Sequence, residues 1–186
     1  MRKNLGAKAI LYPMPVLIIG SYDEKGTPNA MNAAWGGISE ETEISICVSD
    51  DHKTTENILK KGAFTVSIAD KNNVVEADYV GIASGNDEDD KIAKCGWTAE
   101  KSCFVDAPLF VQLPLALECR LKSYDKESCR LVGEIVNVCA DESILDIDGK
   151  VDLTRFIPIT YDPIHHTYRT LGEVVGKAFS DGKKIN

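Results

Sequence analysis

Between Glu43 and Ile68 the chain spells out a strand, a junction, a helix and a second strand with almost nothing to spare. Glu43-Ile44-Ser45-Ile46-Cys47-Val48 alternates apolar and polar residues, as a strand with two different faces must. Ile58-Leu59-Lys60-Lys61 continues a short helix from about Thr54, and Gly62 stops it. Ala63-Phe64-Thr65-Val66-Ser67-Ile68 then alternates again. The junction, Ser49-Asp50-Asp51-His52-Lys53-Thr54-Thr55-Glu56-Asn57, places one lysine and two hydroxyls at a helix start. Free backbone N–H groups and the helix dipole favour an anion such as phosphate there. The plainer account is an ordinary surface helix capped by Thr54, and for this segment alone the plainer account is preferred.

The rest of the chain repeats the strand theme. Val16–Tyr22 forms a strand behind Pro13 and Pro15, and the turn Asp23-Glu24-Lys25-Gly26 leads into Asn29–Gly37, so these two strands make a hairpin. Asn73–Ile82 carries helical periodicity, and Asp87–Lys94, acidic first and basic last, suits a short helix. Leu109–Lys122 is strand-rich with a break at Pro114, and Arg130–Cys139 is another strand after the turn Tyr124–Glu127. Arg155–Thr160 is expected as the last strand. Strands at short, regular spacing with a few helices predict a mainly β fold, a closed antiparallel barrel with helical decoration. No repeat or linker divides the chain, so residues 1–186 are expected as one domain. Its barrel core spans about 13–172, and 173–186 form a tail.

The net charge of −8, with no long basic run, argues against nucleic acid as a partner. No apolar run is long enough to span a bilayer, and Val16–Ile19 is too short for a signal segment, so a cytoplasmic protein without a membrane partner is expected. Six cysteines form no C-x-x-C and no zinc spacing with His52, His165 or His166, so no metal is expected. Cys47, Cys119 and Cys139 lie in strand-like runs and are expected as buried reduced thiols. Neither a G-x-G-x-x-G nor a Walker loop is present.

Three further segments suit a ligand. In Asn29-Ala30-Met31-Asn32-Ala33-Ala34-Trp35, small side chains would let a planar ring lie against a strand. The Asn29 or Asn32 amide could meet ring carbonyls and Trp35 could form a wall; a tightly packed sheet with Trp35 in the core explains the run as well. Gly81-Ile82-Ala83-Ser84-Gly85, followed by Asp90-Lys91, permits close approach, or is a surface loop. Tyr168, Leu171 and Gly172 either approach a ligand or close the barrel.

Taken in order, Pro13-Met14-Pro15-Val16, Gly20, Asp23–Gly26, Asn29, Trp35, His52–Ile58, Gly62–Val66, Ser84, Asp90-Lys91, Ala107-Pro108, Gly133–Ile135, Asp148-Gly149, Tyr168 and Leu171-Gly172 resemble the flavin reductase-like family of FMN-binding split-barrel proteins, its flavoredoxin branch in particular. The resemblance implies an antiparallel, Greek-key split β-barrel that binds FMN near a homodimer interface. It implies the phosphate on Lys53, Thr54 and Thr55 with His52 beside them, where many members carry Arg. It implies the isoalloxazine ring against Asn29, Ala30, Met31, Asn32, Ala33 and Trp35, with Ser49, Ser84 and Lys91 as further contacts. The activity implied is an oxidoreductase moving electrons from NAD(P)H through FMN to an acceptor. The alternative is an FMN electron carrier reduced by a redox protein partner, without its own NAD(P)H site. A flavin-free barrel is the third reading. Hydride transfer to a flavin needs no side-chain acid or base, so no catalytic residue is nominated.

Overall fold

The computed structural model describes residues 1–185. Its elements are β1 (Met14–Pro15), β2 (Leu17–Tyr22), β3 (Pro28–Ala33), β4 (Gly36–Glu40), β5 (Glu43–Cys47), α1 (Lys53–Lys61), β6 (Ala63–Ile68), α2 (Val74–Ile82), α3 (Lys91–Lys94), β7 (Ala99–Lys101), β8 (Pro108–Phe110), β9 (Leu115–Asp125), β10 (Arg130–Ala140), β11 (Ile159–Asp162) and β12 (Thr167–Thr170). Short 3-10 turns occupy Glu142–Ile144 and Asp181–Lys184. Among the described residues no helix is long and apolar enough to cross a membrane.

Seven strands form one antiparallel sheet in the order β3-β2-β6-β9-β10-β5-β4. Strand alternation sends successive side chains of β2 to two different cores. Leu17 and Ile19 join Ile44, Ile46, Ile58, Phe64, Val66, Cys119 and Leu131 inside the curl of the sheet. Ile18 joins Ala30, Ala77, Val80, Ile92, Trp97 and Phe110 beneath the α2–α3 layer. This is why β6, alternating in sequence, is buried from Ala63 through Ser67. Two register shifts of β10 against β9 curl the sheet, one of them between Val132 and Gly133. There the backbone meets the Phe64 ring so closely that a Cβ on Gly133 would stand 2.3 Å from Cζ.

The barrel is split rather than closed by hydrogen bonds. β3 and β4 are opposite edges of the sheet, joined only through Ala34 and Trp35. The expected strand over Asn29–Gly37 therefore breaks in two, and Trp35 projects to solvent at 58% exposure instead of entering the core. The buried tryptophan is Trp97, packed against Phe110 with ring centroids 5.3 Å apart and planes tilted by 39°.

Other expectations shift for non-local reasons. The final strand moves from Arg155–Thr160 to Ile159–Asp162, because Met14 and Pro15 fix its register by pairing with Tyr161 and Thr160. β12 follows it as a further strand, Thr167–Thr170. Only Lys91–Lys94 of the acidic-to-basic segment is helical. Pro114 does separate β8 from β9. Of the three thiols expected inside, Cys119 is buried, Cys139 is half-buried and Cys47, at the outer end of β5, is exposed.

Candidate functional site

The start of α1 is built by contacts that reach far along the chain. His52 occupies the N-cap with extended backbone and makes no side-chain cap. Thr54, expected at that cap, lies inside the first turn and is buried. Its Oγ1 accepts a hydrogen bond from Asn29 Nδ2 at 2.7 Å, which leaves the hydroxyl proton free to donate. Thr55 is wholly buried and donates to the Ser49 carbonyl at 2.7 Å. That bond pins the end of the preceding strand to the helix and turns the Thr55 side chain away from any ligand. Asn57 Nδ2 donates to Ser21 Oγ at 3.2 Å and holds α1 against β2. Gly62 closes the helix with φ +68, and its N–H reaches the Ile58 carbonyl.

A cleft of about 330 Å³ opens over this helix start. Eight of the residues expected at the site line it: Asn29, Met31, Asn32, His52, Lys53, Thr54, Ser84 and Lys91. They come from β3, α1, the loop after α2, and α3. Ala30 and Ala33 belong to the same strand but point into the cores. Ser49 and Thr55 lie behind the helix start, and Trp35 borders a separate groove with residues 8–11 and 13–15.

The loop after α2 is held against the helix start. Asn86 Nδ2 donates to the Asp51 carbonyl at 3.1 Å, and Asn86 N–H donates to Ser84 Oγ at 3.1 Å. Gly85 sits so near Asn29 that a Cβ there would stand 2.4 Å from Oδ1. Gly81 faces Asn32, whose Nδ2 donates to the Ala77 carbonyl at 3.0 Å.

The charges are arranged differently from the simplest expectation. Lys53 Nζ lies 3.2 Å from Glu56 Oε2, one turn along its own helix. Lys60 and Lys53 together hold the Glu56 carboxyl below its usual range. His52 and Asp51 are 3.9 Å apart and exposed. Lys91, by contrast, is 3% exposed, and burial pushes its ammonium down to about 8. Asn29 Oδ1 is buried with no partner; turning the amide over would orphan its N–H group instead.

A second cleft, about 370 Å³, adjoins the first and shares Asn32, Gly81 and Ile82 with it. Ala34, Asp78, Tyr161, His166 and Tyr168 complete its walls. Tyr168 donates to Asp78 Oδ1 at 2.7 Å, and burial together with that bond raises the phenol above its usual range. Tyr161 Oη and His166 Nδ1 are 2.8 Å apart. Tyr161, Asp78 and His166 carry no sequence signal for this placement. They meet only because β11 and β12 fold back beside α2.

The sequence matches the flavin reductase like domain over residues 9–155. The chain belongs to that family. Among solved structures, the flavoredoxin of Desulfovibrio vulgaris (Miyazaki F) is 38% identical with a TM-score of 0.93, covering 98% of this chain and 100% of that one. A flavoredoxin from Methanosarcina acetivorans is 27% identical with a TM-score of 0.86, covering 100% and 98%. Nitrilotriacetate monooxygenase component B from Bacillus cereus has a TM-score of 0.79 at 21% identity, covering 95% and 98%, a likeness of fold alone. No curated protein matches the sequence significantly. Among the described residues no group of three or more His, Cys, Asp or Glu side chains could hold a metal ion.

Proposed function

We propose that this flavin reductase-like domain binds FMN and serves as an electron-transfer flavoprotein of the flavoredoxin kind, reduced by a redox protein partner. The observation that carries the FMN reading is the donor set of the first cleft. It combines an uncapped helix start, the free Thr54 hydroxyl, a buried lysine and an unpaired buried amide end. A helix start with a buried cation suits a phosphate, and an orphaned amide suits a polar ligand atom. The glycines at 81 and 85 let the Asn32 and Asn29 side chains pack directly against the backbone of α2 and of the loop after it, which fixes both amides at the cleft. The near-full-length likeness to two flavoredoxins supports the carrier reading over an NAD(P)H reductase.

In this reading the α1 amides, Thr54 and Lys91 hold the phosphate end, and Asn29 and Asn32 face the flavin from β3. Bound FMN supplies reversible electron transfer; the protein positions it and limits water around it. The chain is taken as a homodimer, a reading supported by Trp35 and Ile38, exposed at 58% and 65% beside and on the sheet-edge strand β4. A second reading, in which NAD(P)H reduces the protein directly, is favoured by the aromatic second cleft next to the first.

The visible spectrum of the purified protein, followed by anaerobic mixing with NADH and NADPH, tests these readings. A flavin spectrum that neither nucleotide bleaches is the expected result. Bleaching by either nucleotide overturns the carrier reading in favour of the reductase. Colourless protein that takes up no added FMN overturns both.

A further inference from the structure

Two of the six cysteines meet at the outer end of the large sheet. Cys47 is the last residue of β5, is exposed, and lies opposite Arg130 of β10 in the ladder. Cys129 is half-buried and immediately precedes Arg130, at the close of the turn between β9 and β10. The pairing runs one step past the strands, since Val48 N–H donates to the Cys129 carbonyl at 2.8 Å. Opposed Cα atoms of an antiparallel pair stand about 4.5–5.5 Å apart and one strand step adds about 3.4 Å, so the two cysteine Cα atoms are about 6 Å apart. A disulfide spans about 4.4–6.8 Å between Cα atoms.

In a regular strand Cys129 would face the side of the sheet opposite to Arg130 and Cys47. It does not keep strand geometry: its φ is +54, in the left-handed region. The Cys47 thiol leans toward it, with Sγ 4.0 Å from the Ser128 carbonyl oxygen, the group bonded to the Cys129 nitrogen. Tyr124 Oη donates to the Val48 carbonyl at 3.0 Å and has both thiols beside it. Lys126 in the turn pairs with Asp50, after β5, at 2.6 Å, so the two segments are held together apart from the thiols. Cys129 Sγ is engaged only with the Lys126 carbonyl, a weak contact at 3.8 Å. The other strand cysteines have no such neighbour: Cys119 lies opposite Ile135, and Cys139 opposite Ala116.

We propose that Cys47 and Cys129 form a peroxide-sensitive dithiol that closes reversibly to a disulfide within one chain. Exposed Cys47 reacts first. Its thiolate attacks the O–O bond of a hydroperoxide and becomes a sulfenic acid, and the alkoxide or hydroxide that leaves takes up the thiol's proton. The Cys129 thiol then attacks that sulfur, the S–S bond forms, and water departs with the second proton. The two thiols lose two electrons, and the broken O–O bond accepts them. A dithiol reductant reopens the bridge by exchange. The bridge staples the β9–β10 turn to the end of β5, just ahead of Ser49, whose carbonyl holds Thr55 at the start of α1. The proposal stands apart from the FMN reading.

Peptide mapping of the purified holoprotein tests it. The protein is treated with a small molar excess of hydrogen peroxide, denatured in excess alkylating reagent and digested with trypsin without reduction. Alkylation is expected at all six cysteines before peroxide and at four after it. The tryptic peptide 127–130 should appear joined to the peptide 26–53, on a chain that migrates as a monomer in a non-reducing gel, and dithiothreitol should separate them. Cys129→Ser is expected to give no bridge and to leave Cys47 as a sulfenic acid that dimedone labels. Cys47→Ser should give neither bridge nor label at Cys129, while Cys103→Ser, at another exposed thiol, should bridge as the wild type does. Six alkylated cysteines after peroxide, a bridge from Cys47 to any other cysteine or to a second chain, or a bridge between other positions that survives in Cys47→Ser would overturn the proposal and leave the FMN reading untouched.

Discussion

Gly85→Ala puts the construction of the cleft to a sharp test. Gly85 has no left-handed φ, so alanine fits its backbone and the effect is steric alone. The new Cβ would stand 2.4 Å from Asn29 Oδ1, 3.0 Å from Asn29 Cγ and 3.2 Å from Lys53 Cβ. Asn29 cannot swing aside cheaply, because it is 8% exposed and its Nδ2 is bonded to Thr54 Oγ1 at 2.7 Å. Either the loop lifts off the helix start or the amide gives up its bond. Overpacking of this kind costs ~1–3 kcal/mol, and an orphaned buried amide costs a similar ~1–3 kcal/mol. The two are alternative outcomes of one clash, so a loss of about 2 kcal/mol in stability is expected. Urea unfolding should show the midpoint falling by roughly 1 M with an unchanged slope. FMN affinity should fall at least about tenfold, since both Asn29 and Lys53 move. The double variant with Asn29→Ala identifies the cause. Removing the amide removes the clash, so the pair should be about as stable as Asn29→Ala alone, a coupling of ~1 kcal/mol or more. Wild-type stability and FMN affinity in Gly85→Ala, or strict additivity in the double variant, would refute the packing described for this loop.

Gly133→Ala should destabilise the fold by ~1–3 kcal/mol, because its Cβ would lie 2.3 Å from the Cζ of a fully buried Phe64; an unchanged urea midpoint would contradict that contact. Asp162 ties the N-terminal arm to the β11–β12 turn: it accepts from Tyr12 Oη at 2.5 Å and from the backbone N–H of Ile164 at 2.9 Å, and it pairs with His165 and Arg169 at 2.9 and 3.2 Å. The Tyr12 hydrogen bond above all holds this carboxyl well below the usual range, so its contribution is present above the unfolded carboxylate value near ~4 and is lost only as pH falls through the much lower folded value. Asp162→Asn should therefore speed tryptic cleavage at Lys8 at pH 7 without unfolding the barrel, and cleavage at the wild-type rate would show that the arm is held by something else.

The local features of this chain were legible from local residues. Period-two alternation located β6, and Gly62 located the end of α1, because both signals act within a few positions. Thr54 was misread as a cap because the residue that binds its hydroxyl, Asn29, lies in β3, on the far side of an intervening hairpin. The last strand slipped because its register comes from β1 at the other end of the chain. Trp35 looked like a wall or a core residue because a sequence does not say which edge of a split sheet a loop bridges. At the candidate site, the segments were visible but the division of labour among them was not. Lys53 stands in the more suggestive stretch, yet its own helix supplies Glu56 one turn on. Lys91, in a weaker stretch, is the buried cation that no carboxylate meets among the described residues, and only the full set of neighbours reveals that. The second cleft was invisible for the same reason: its aromatic wall comes from residues some ninety positions beyond Asp78.

The strand order also sets a timetable for the ribosome. The β4–β5 hairpin docks on β10, with Cys47 opposite Arg130, rather than on any strand made soon after it. At roughly 5–20 residues per second, about eighty more residues take on the order of ten seconds to synthesise. During that interval Ile44 and Ile46, buried in the finished sheet, belong to a two-stranded ribbon open on both flanks, the β5 flank being the one that β10 later covers. The nascent chain is thus most vulnerable to pairing with a neighbour just before β10 emerges, and a chaperone that shields this hairpin would act in that window.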